Sequence, residues 1–244
     1  MTVRISLVLA AGLTLAVAAG TAGFAQAETV TTNVSNPTPI AIPDSGSAVP
    51  SPVSVSGLRG TITDVTVTLA GFGHTYPSDV DVMLRAPGGQ QVVLMSDSGA
   101  REDVADLTFV FNAASAATLE AIPLTSGSYR PVNLTDEHGG DAYPAAPAGV
   151  PTTDMTTLRG DAVSQNGTWE LFVVDDAVND SGTFARGWTL SITQDTFSTC
   201  AAEGFTGAKL TLCRQVCEID QSPSRLTSLI KMYMAIYRSE PPCN

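Results

Sequence analysis

Apolar side chains at every second position, repeated in separate stretches, constrain this chain more than any other feature. Val65, Val67 and Leu69 alternate with Asp64, Thr66 and Thr68, and Val80, Val82 and Leu84 alternate with Asp81, Met83 and Arg85. Leu107, Phe109 and Phe111 repeat the pattern, as do Trp169, Leu171 and Val173, then Trp188, Leu190 and Ile192. A period of two places one set of side chains on one face of a strand. Turn residues separate the stretches, as in Ala86-Pro87-Gly88-Gly89 and Asn179-Asp180-Ser181-Gly182, and no helical period of similar length precedes residue 200. Strands that each bury one face need a second such face. The pattern therefore predicts a mainly β fold, an antiparallel β-sandwich over residues 53–195. Long connections favour a jelly roll over a compact immunoglobulin-type domain. Residues 112–165 read as loop-rich. Residues 28–52, with prolines at 37, 39, 43, 50 and 52, read as an extended Pro/Ser/Thr-rich entry segment.

The N-terminus predicts export. Arg4 precedes an uncharged run from Ile5 to Ala19, and Ala25-Gln26-Ala27 fits a small-x-small cleavage site, so residues 1–27 read as a signal peptide. The run is shorter than the ~20 residues a membrane span needs. The expectation is a secreted or periplasmic chain without a membrane span, in a compartment that permits disulfides. Acidic residues outnumber basic ones 24 to 12, for a net charge of −12. Residues 28–195 hold 20 of the acidic and 6 of the basic residues, while 196–244 hold 4 and 5. Nucleic acid is excluded as a partner on charge, and a protein partner or a cationic surface is favoured.

The composition changes again at residue 196. Cys200, Cys213, Cys217 and Cys243 all lie in the last segment, with 12, 3 and 25 residues between them. An even number of cysteines in an exported chain predicts two disulfides, and the absence of a Cys-x-x-Cys pair argues against zinc. Lys209–Ile219 reads as a helix carrying Cys213 and Cys217 on one face, so each is expected to reach Cys200 or Cys243. Both cross-pairings satisfy the spacing. Ser222-Pro223 reads as the N-cap and first turn of a second helix, with Leu226, Leu229, Ile230, Tyr233, Met234 and Tyr237 at helical spacing. The tail at 196–244 is expected to be a small, disulfide-stapled helical hairpin.

The strands also carry a family resemblance. Gly73-His74-Thr75-Tyr76-Pro77-Ser78-Asp79-Val80-Asp81-Val82, running on through Leu84-Arg85-Ala86-Pro87-Gly88-Gly89, is similar to an H-T-x-x-x-D-L-x-x-x-L-x-S-P-x-G stretch. Gly127-Ser128-Tyr129-Arg130-Pro131 resembles G-x-Y-x-P. Asn166-Gly167-Thr168-Trp169-Glu170-Leu171, with Asp175, Gly182-Thr183 and Trp188-Thr189-Leu190 behind it, resembles N-G-T-W-x-L … D … G-x-L … W-x-L. In this order, over about residues 40–193, the motifs resemble the P domain (P/Homo B domain) that follows the subtilisin-like catalytic domain of proprotein convertases. The resemblance implies a jelly-roll sandwich that supports a peptidase by packing against it. Two positions depart from the pattern: Val80 replaces Leu, and Phe111-Asn112-Ala113 stands where bacterial members carry F-D-D. A calcium site at that loop is therefore not carried over.

No catalytic constellation is complete. His74 has Asp79 and Asp81 nearby in sequence, but there is no Gly-x-Ser-x-Gly elbow or glycine-rich oxyanion loop. His138 sits in the acidic run Asp136-Glu137-His138-Gly139-Gly140-Asp141 and reads as a solvated loop residue. Calcium is the cofactor this chemistry suggests, because it takes 6–8 oxygen ligands. Asp175, Asp176, Asn179 and Asp180 precede a turn glycine, and Asp79 and Asp97 join them if the strand ends cluster. The competing reading is a solvated turn with Asx hydrogen bonds. The chain thus reads as an exported, non-catalytic binding or accessory module. The alternative is a direct part in proteolysis, as a fragment or diverged member of a serine-type endopeptidase. A carbohydrate-binding jelly roll ranks below both, since Trp169 and Trp188 lie on apolar strand faces.

Overall fold

The alternation becomes two sheets facing each other across one apolar cluster. The computed structural model describes residues 29–120, 122–134, 141–195, 200, 205–217 and 223–238. The signal-peptide reading and His138 lie outside these residues. In chain order the strands are β1 (Thr29–Asn36), β2 (Ile40–Ile42), β3 (Gly46–Ser47), β4 (Ser51–Val55), β5 (Thr61–His74), β6 (Val80–Arg85) and β7 (Gln91–Met95). They continue as β8 (Val104–Asn112), β9 (Gly127–Tyr129), β10 (Gly160–Asp161), β11 (Gly167–Asp175), β12 (Gly182–Phe184) and β13 (Trp188–Asp195). The first sheet runs β1-β13-β5-β12-β2, with β8 and β10 also on β5. The second runs β3-β11-β6-β7, with β4 also on β11. The ladders are antiparallel except β8 with β9, which is parallel. Segment 28–52 supplies β1 to β4 and so contributes to both sheets.

The residues picked out by alternation fill the space between the sheets. Val65, Val67, Leu69, Phe109, Phe111, Trp188, Leu190 and Ile192 come from the first sheet, and Val80, Val82, Leu84, Trp169, Leu171 and Val173 from the second, all in one cluster. Phe72 lies 5.0 Å from Phe184 and 5.5 Å from Phe109, centroid to centroid. Both indoles are sealed inside: Trp169 donates to Gln165 O at 3.1 Å and Trp188 to Ser51 Oγ at 3.0 Å. The expectation that Asp81 and Met83 face solvent is not met. Strands β6 and β7 are buried on both faces apart from Arg85. Two crossing segments pair with β7: Thr152 bonds Val93 and Gln91, while Val132 and Leu134 donate to Leu94 O and Ser96 O. A strand covered on both faces reads as a continuous buried run.

The motif residues do local structural work. Asn166 grips Leu58 in both directions, accepting from its N–H at 2.9 Å and donating to its carbonyl at 3.1 Å. Tyr129 donates to Thr125 O at 2.8 Å. Asn112, at the departing loop, accepts from Ala114 N–H in an Asx turn at 3.0 Å. The corner between β12 and β13 needs glycine. Gly187 has φ +65°, and a Cβ there would strike Asn36 O and stand 2.9 Å from Thr38 O.

The tail forms two helices, α1 (Gly207–Cys217) and α2 (Pro223–Tyr237), the second starting at the expected proline. Their own small core contains Cys200, Leu212, Cys213, Val216 and Tyr233. Cys200 pairs with Cys213, which selects one of the two cross-pairings; the partners of Cys217 and Cys243 lie outside the described side chains. Lys209 Nζ stands 3.6 Å from the Phe205 ring centroid and 5.3 Å from that of Tyr237. Among the described residues, no helix is long and apolar enough to cross a membrane.

Two outcomes follow from this packing. Gly187→Ala is expected to cost more than the ~1–2 kcal/mol of a left-handed residue alone, because two carbonyls occupy the space. A melting temperature lowered by several degrees checks it, and an unchanged one contradicts the crowding at Asn36. Reducing the Cys200–Cys213 bridge removes a constraint worth about 3 kcal/mol for a loop of this size. It is expected to lower the helical circular-dichroism signal while leaving the β signal in place, since the hairpin has a core of its own.

Candidate functional site

Two polar clusters interrupt the apolar interior. The first joins the sheets. His74 ends β5 in one sheet and Asp175 ends β11 in the other, and both side chains are fully buried. His74 Nε2 lies 3.2 Å from Asp175 Oδ2, and Nδ1 lies 3.1 Å from Tyr76 N. Nδ1 also lies 2.9 Å from Tyr76 O, so Tyr76 and Asp175 take up both ring nitrogens. Asp175 Oδ1 accepts from Ala177 N–H at 3.1 Å. Burial pushes the Asp175 carboxyl up, opposed by the Ala177 N–H and by His74. This is a histidine–carboxylate pair of the kind a catalytic triad uses, but it is closed on itself. Both ring nitrogens face Tyr76 and Asp175, leaving none aimed at a nucleophile.

The loop after Asp175 is organised by similar hydrogen bonds. Asp176 N–H donates to Asp79 O at 3.0 Å, and Thr75 Oγ1 donates to Asp180 Oδ1 at 2.9 Å. Asn179 N–H donates to Asp44 Oδ1 at 2.7 Å. Asp79 ends the 3-10 turn Pro77–Asp79 rather than lying in β6 with Asp81.

The second cluster lies on the other face of the second sheet. Val80, Val82 and Leu84 point into the core, so the pleat turns Asp81 the opposite way. There one carboxylate oxygen each of Asp81, Asp97 and Asp141 lie within 4.8 Å of one another. Asp81 comes from β6, Asp97 from the turn after β7, and Asp141 from the start of the segment that crosses β7. Asp97 is held at φ +54°. Asp81 is only 1 % exposed, and neither of its oxygens has a hydrogen-bond partner.

Ser96 has a single hydroxyl hydrogen, yet its Oγ stands 2.9 Å from Asp97 Oδ2 and 2.8 Å from Asp141 Oδ1. Burial first, then the charges of Asp141 and Asp97, push the Asp81 carboxyl up to about 8; the Ser96 hydroxyl beside it offsets part of the rise. The Tyr143 hydroxyl is also buried without a hydrogen-bond partner, and burial and the same three carboxylates drive it well above the usual phenol range.

The sequence reading placed metal ligands at Asp79, Asp97, Asp175, Asp176 and Asp180. Of these, Asp97 joins the carboxylate triplet, while Asp175 and Asp180 spend oxygens on His74, Ala177 and Thr75. Asp176 lies near enough to add to the charge around Asp81. Asp81 and Asp141, the other two members of the triplet, are not among the residues the sequence singles out as ligands. Asp81 sat in an apparently half-exposed alternation, and Asp141 lies 60 positions away in a span without periodicity. The only sequence signal for Asp141 was the acidic run that precedes it.

An open cleft of about 400 Å³ lies elsewhere, lined by Arg130, Asp154, Met155 and smaller side chains. Asp154 caps a 3-10 turn through Thr156 N–H at 2.8 Å.

No protein-family model matches the chain. Among solved structures, it is similar to a serine protease of Aeromonas sobria at 16% identity and a TM-score of 0.28. That alignment covers 68% of this chain and 26% of the protease. A second match is an Aeromonas sobria serine protease in complex with a chaperone, at 14% identity and a TM-score of 0.27, covering 69% of this chain and 26% of that one. The chain thus spans about a quarter of the length of the proteins it matches.

Asp81 gives this cluster a pH signature. Its carboxyl rises from an ordinary 3.8 to about 8 in the folded protein, so between those values the native state holds a proton that the unfolded chain has released. The resulting stability is complete below about pH 4 and is lost as pH climbs towards 8, by up to ~1.4 kcal/mol per pH unit. In chelator, the protein is expected to melt lower at pH 8 than at pH 5, and Asp81→Asn to flatten that slope. Identical slopes for the two proteins would contradict the assignment.

Proposed function

We propose that this chain is an exported, non-catalytic accessory module of the P-domain type, which binds a protein partner and supports a subtilisin-like peptidase. The observation that carries this reading is the closed His74–Asp175 pair. His74 is the one histidine among the described residues, and its ring is buried and committed to Tyr76 and Asp175. A general base must reach the proton it abstracts, and this one reaches only structural partners. The motifs around it, from Gly73 to Gly89 and from Asn166 to Leu190, supply the family side of the reading. Residues 28–195 hold 20 acidic and 6 basic residues, which suits a partner presenting basic groups.

Two measurements test the proposal together. The mature protein is expected to hydrolyse no member of a broad peptide library and to resist a serine-directed fluorophosphonate probe. Labelling of any serine would replace the accessory role with direct proteolysis. Co-expression with a subtilisin-like peptidase encoded beside it is expected to give a complex that co-purifies and to raise the peptidase's melting temperature by several degrees. A peptidase whose yield and melting point ignore the module would sink the support role.

A further inference from the structure

We propose that Asp81, Asp97 and Asp141 form a calcium-binding site that clamps the Asp141–Thr152 crossing onto the second sheet. Three acidic residues close together would not carry this alone; the state of Asp81 does. Its side chain is 1 % exposed, it points into the triplet, and both of its oxygens lack a hydrogen-bond partner. A buried carboxylate without partners is costly, and proteins resolve that cost with a proton, a paired charge or a metal. The Ser96 hydroxyl offsets part of that cost, but the charged groups around Asp81 add to it. The facing groups are Asp97 and Asp141, with Asp176 nearby. Ser96 has one hydrogen for two carboxylate oxygens at 2.8 and 2.9 Å, so one of those contacts lacks a hydrogen. A cation at the centre supplies the missing attraction to all three.

The donor set selects the class of ion. It is all oxygen, with no imidazole or thiolate in the triplet, which points to a hard cation and away from zinc or copper. The three ligand atoms lie close enough together for one calcium ion to touch all of them at ~2.4 Å. Magnesium at ~2.05 Å needs a tighter, octahedral cage. Three carboxylates, the Ser96 hydroxyl and the buried Tyr143 hydroxyl, completed by water, meet calcium's need for six to eight oxygens. The ligands come from β6, the turn after β7 and the crossing segment, so the ion would tie together positions 16 and 44 residues apart in sequence. This inference is independent of the peptidase reading, because it concerns the site's affinity for a metal and not the module's partner.

The test uses the full mature chain after chelator treatment and dialysis. Calcium titrated by calorimetry is expected to bind at one site and to raise the melting temperature by several degrees, with magnesium giving a much smaller shift. Proteolysis by a broad-specificity protease in chelator is expected to cut within the crossing, and calcium to suppress that cut. Asp81→Asn and Asp141→Asn should each weaken calcium binding by at least ~10-fold. Asp141→Asn lies outside the strands and so protects the test against a folding defect in the other variant. Asp180→Asn should leave binding unchanged. No calcium heat and no melting shift in the folded wild-type protein would overturn the site and leave Asp81 as a buried protonated acid. Loss of binding in Asp180→Asn, with Asp81→Asn and Asp141→Asn unaffected, would overturn it in favour of the 175–182 loop.

Discussion

The architecture hangs on β5. At 14 residues it is long enough for β13 and β12 to pair in turn along one edge and for β8 and β10 to pair along the other. Such a strand must bend to serve partners that turn a corner, and Gly71 provides the bend. Its φ of +75° falls at a register shift between β5 and β8, with Arg186 N and Ala185 Cβ just over 3 Å from where a side chain would begin. The far end of β5 is His74. Because Asp175 ends the strand facing it in the other sheet, the hydrogen bond between them fixes how the two sheets meet at that edge. Trp188 and Asn36, both bonded to Ser51 Oγ, make a comparable link between the sheets. Polar contacts of this kind add little net stability when intact, but removing one partner leaves the other buried and unsatisfied, at about 1–3 kcal/mol for a neutral contact and about 3–5 kcal/mol for a charged pair. They set register more than they add strength.

The His74–Asp175 pair and the acidic triplet show opposite ways of burying charge. Asp175 has a donor for each oxygen, from His74 and from Ala177. Asp81 sits one residue beyond Val80, which pairs with Asp175 in the ladder, and it has none. The same pleat that sends Val80 and Val82 into the core turns Asp81 outwards, under a segment that brings another carboxylate and a phenol but no cation. A purely structural solution at this position would use an apolar residue like its neighbour Met83, which is fully buried. The difference between the two sites is therefore one of saturation: Asp175 has a donor for each oxygen and Asp81 has none.

Most of the fold was legible because alternation is a local property. Val65 to Leu69, Phe109 and Phe111, and Trp188 to Ile192 each announce a face, and those faces do meet. The second helix could be placed at Pro223 for the same reason, since the signal lies within a few residues. What could not be read was which strands lose their second face to solvent and which lose it to chain. Met83 and Asp81 look alike in a half-exposed strand and in a strand roofed by a later loop, and the roof here, from Asp141 to Thr152, has no periodic pattern. The parallel pairing of β9 with β8 was hidden for the same reason: three residues are too few to announce a strand. Disulfide pairing shares this limit, as spacing allows Cys200 to reach either cysteine of the helix and only the packed hairpin selects Cys213.

The metal expectation turns on which acidic oxygens the fold leaves available. Counting oxygen-bearing side chains in 175–182 treats each as equally available, but hydrogen bonds already occupy part of a carboxylate's acceptor capacity. Asp175 is consumed by the link between sheets and Asp180 by Thr75, so the loop richest in acidic residues is also the one whose acids already have tasks. Availability depends on burial and on missing donors, and both are tertiary properties. Asp97 lies at a strand end, and the strand ends do converge: Asp97 meets Asp81 and Asp141, with Asp176 of the 175–182 loop nearby. Strand ends gather ligands efficiently because pleating sends alternate side chains to opposite faces, so one stretch such as Val80–Val82 can serve the apolar core and an acidic cluster at once.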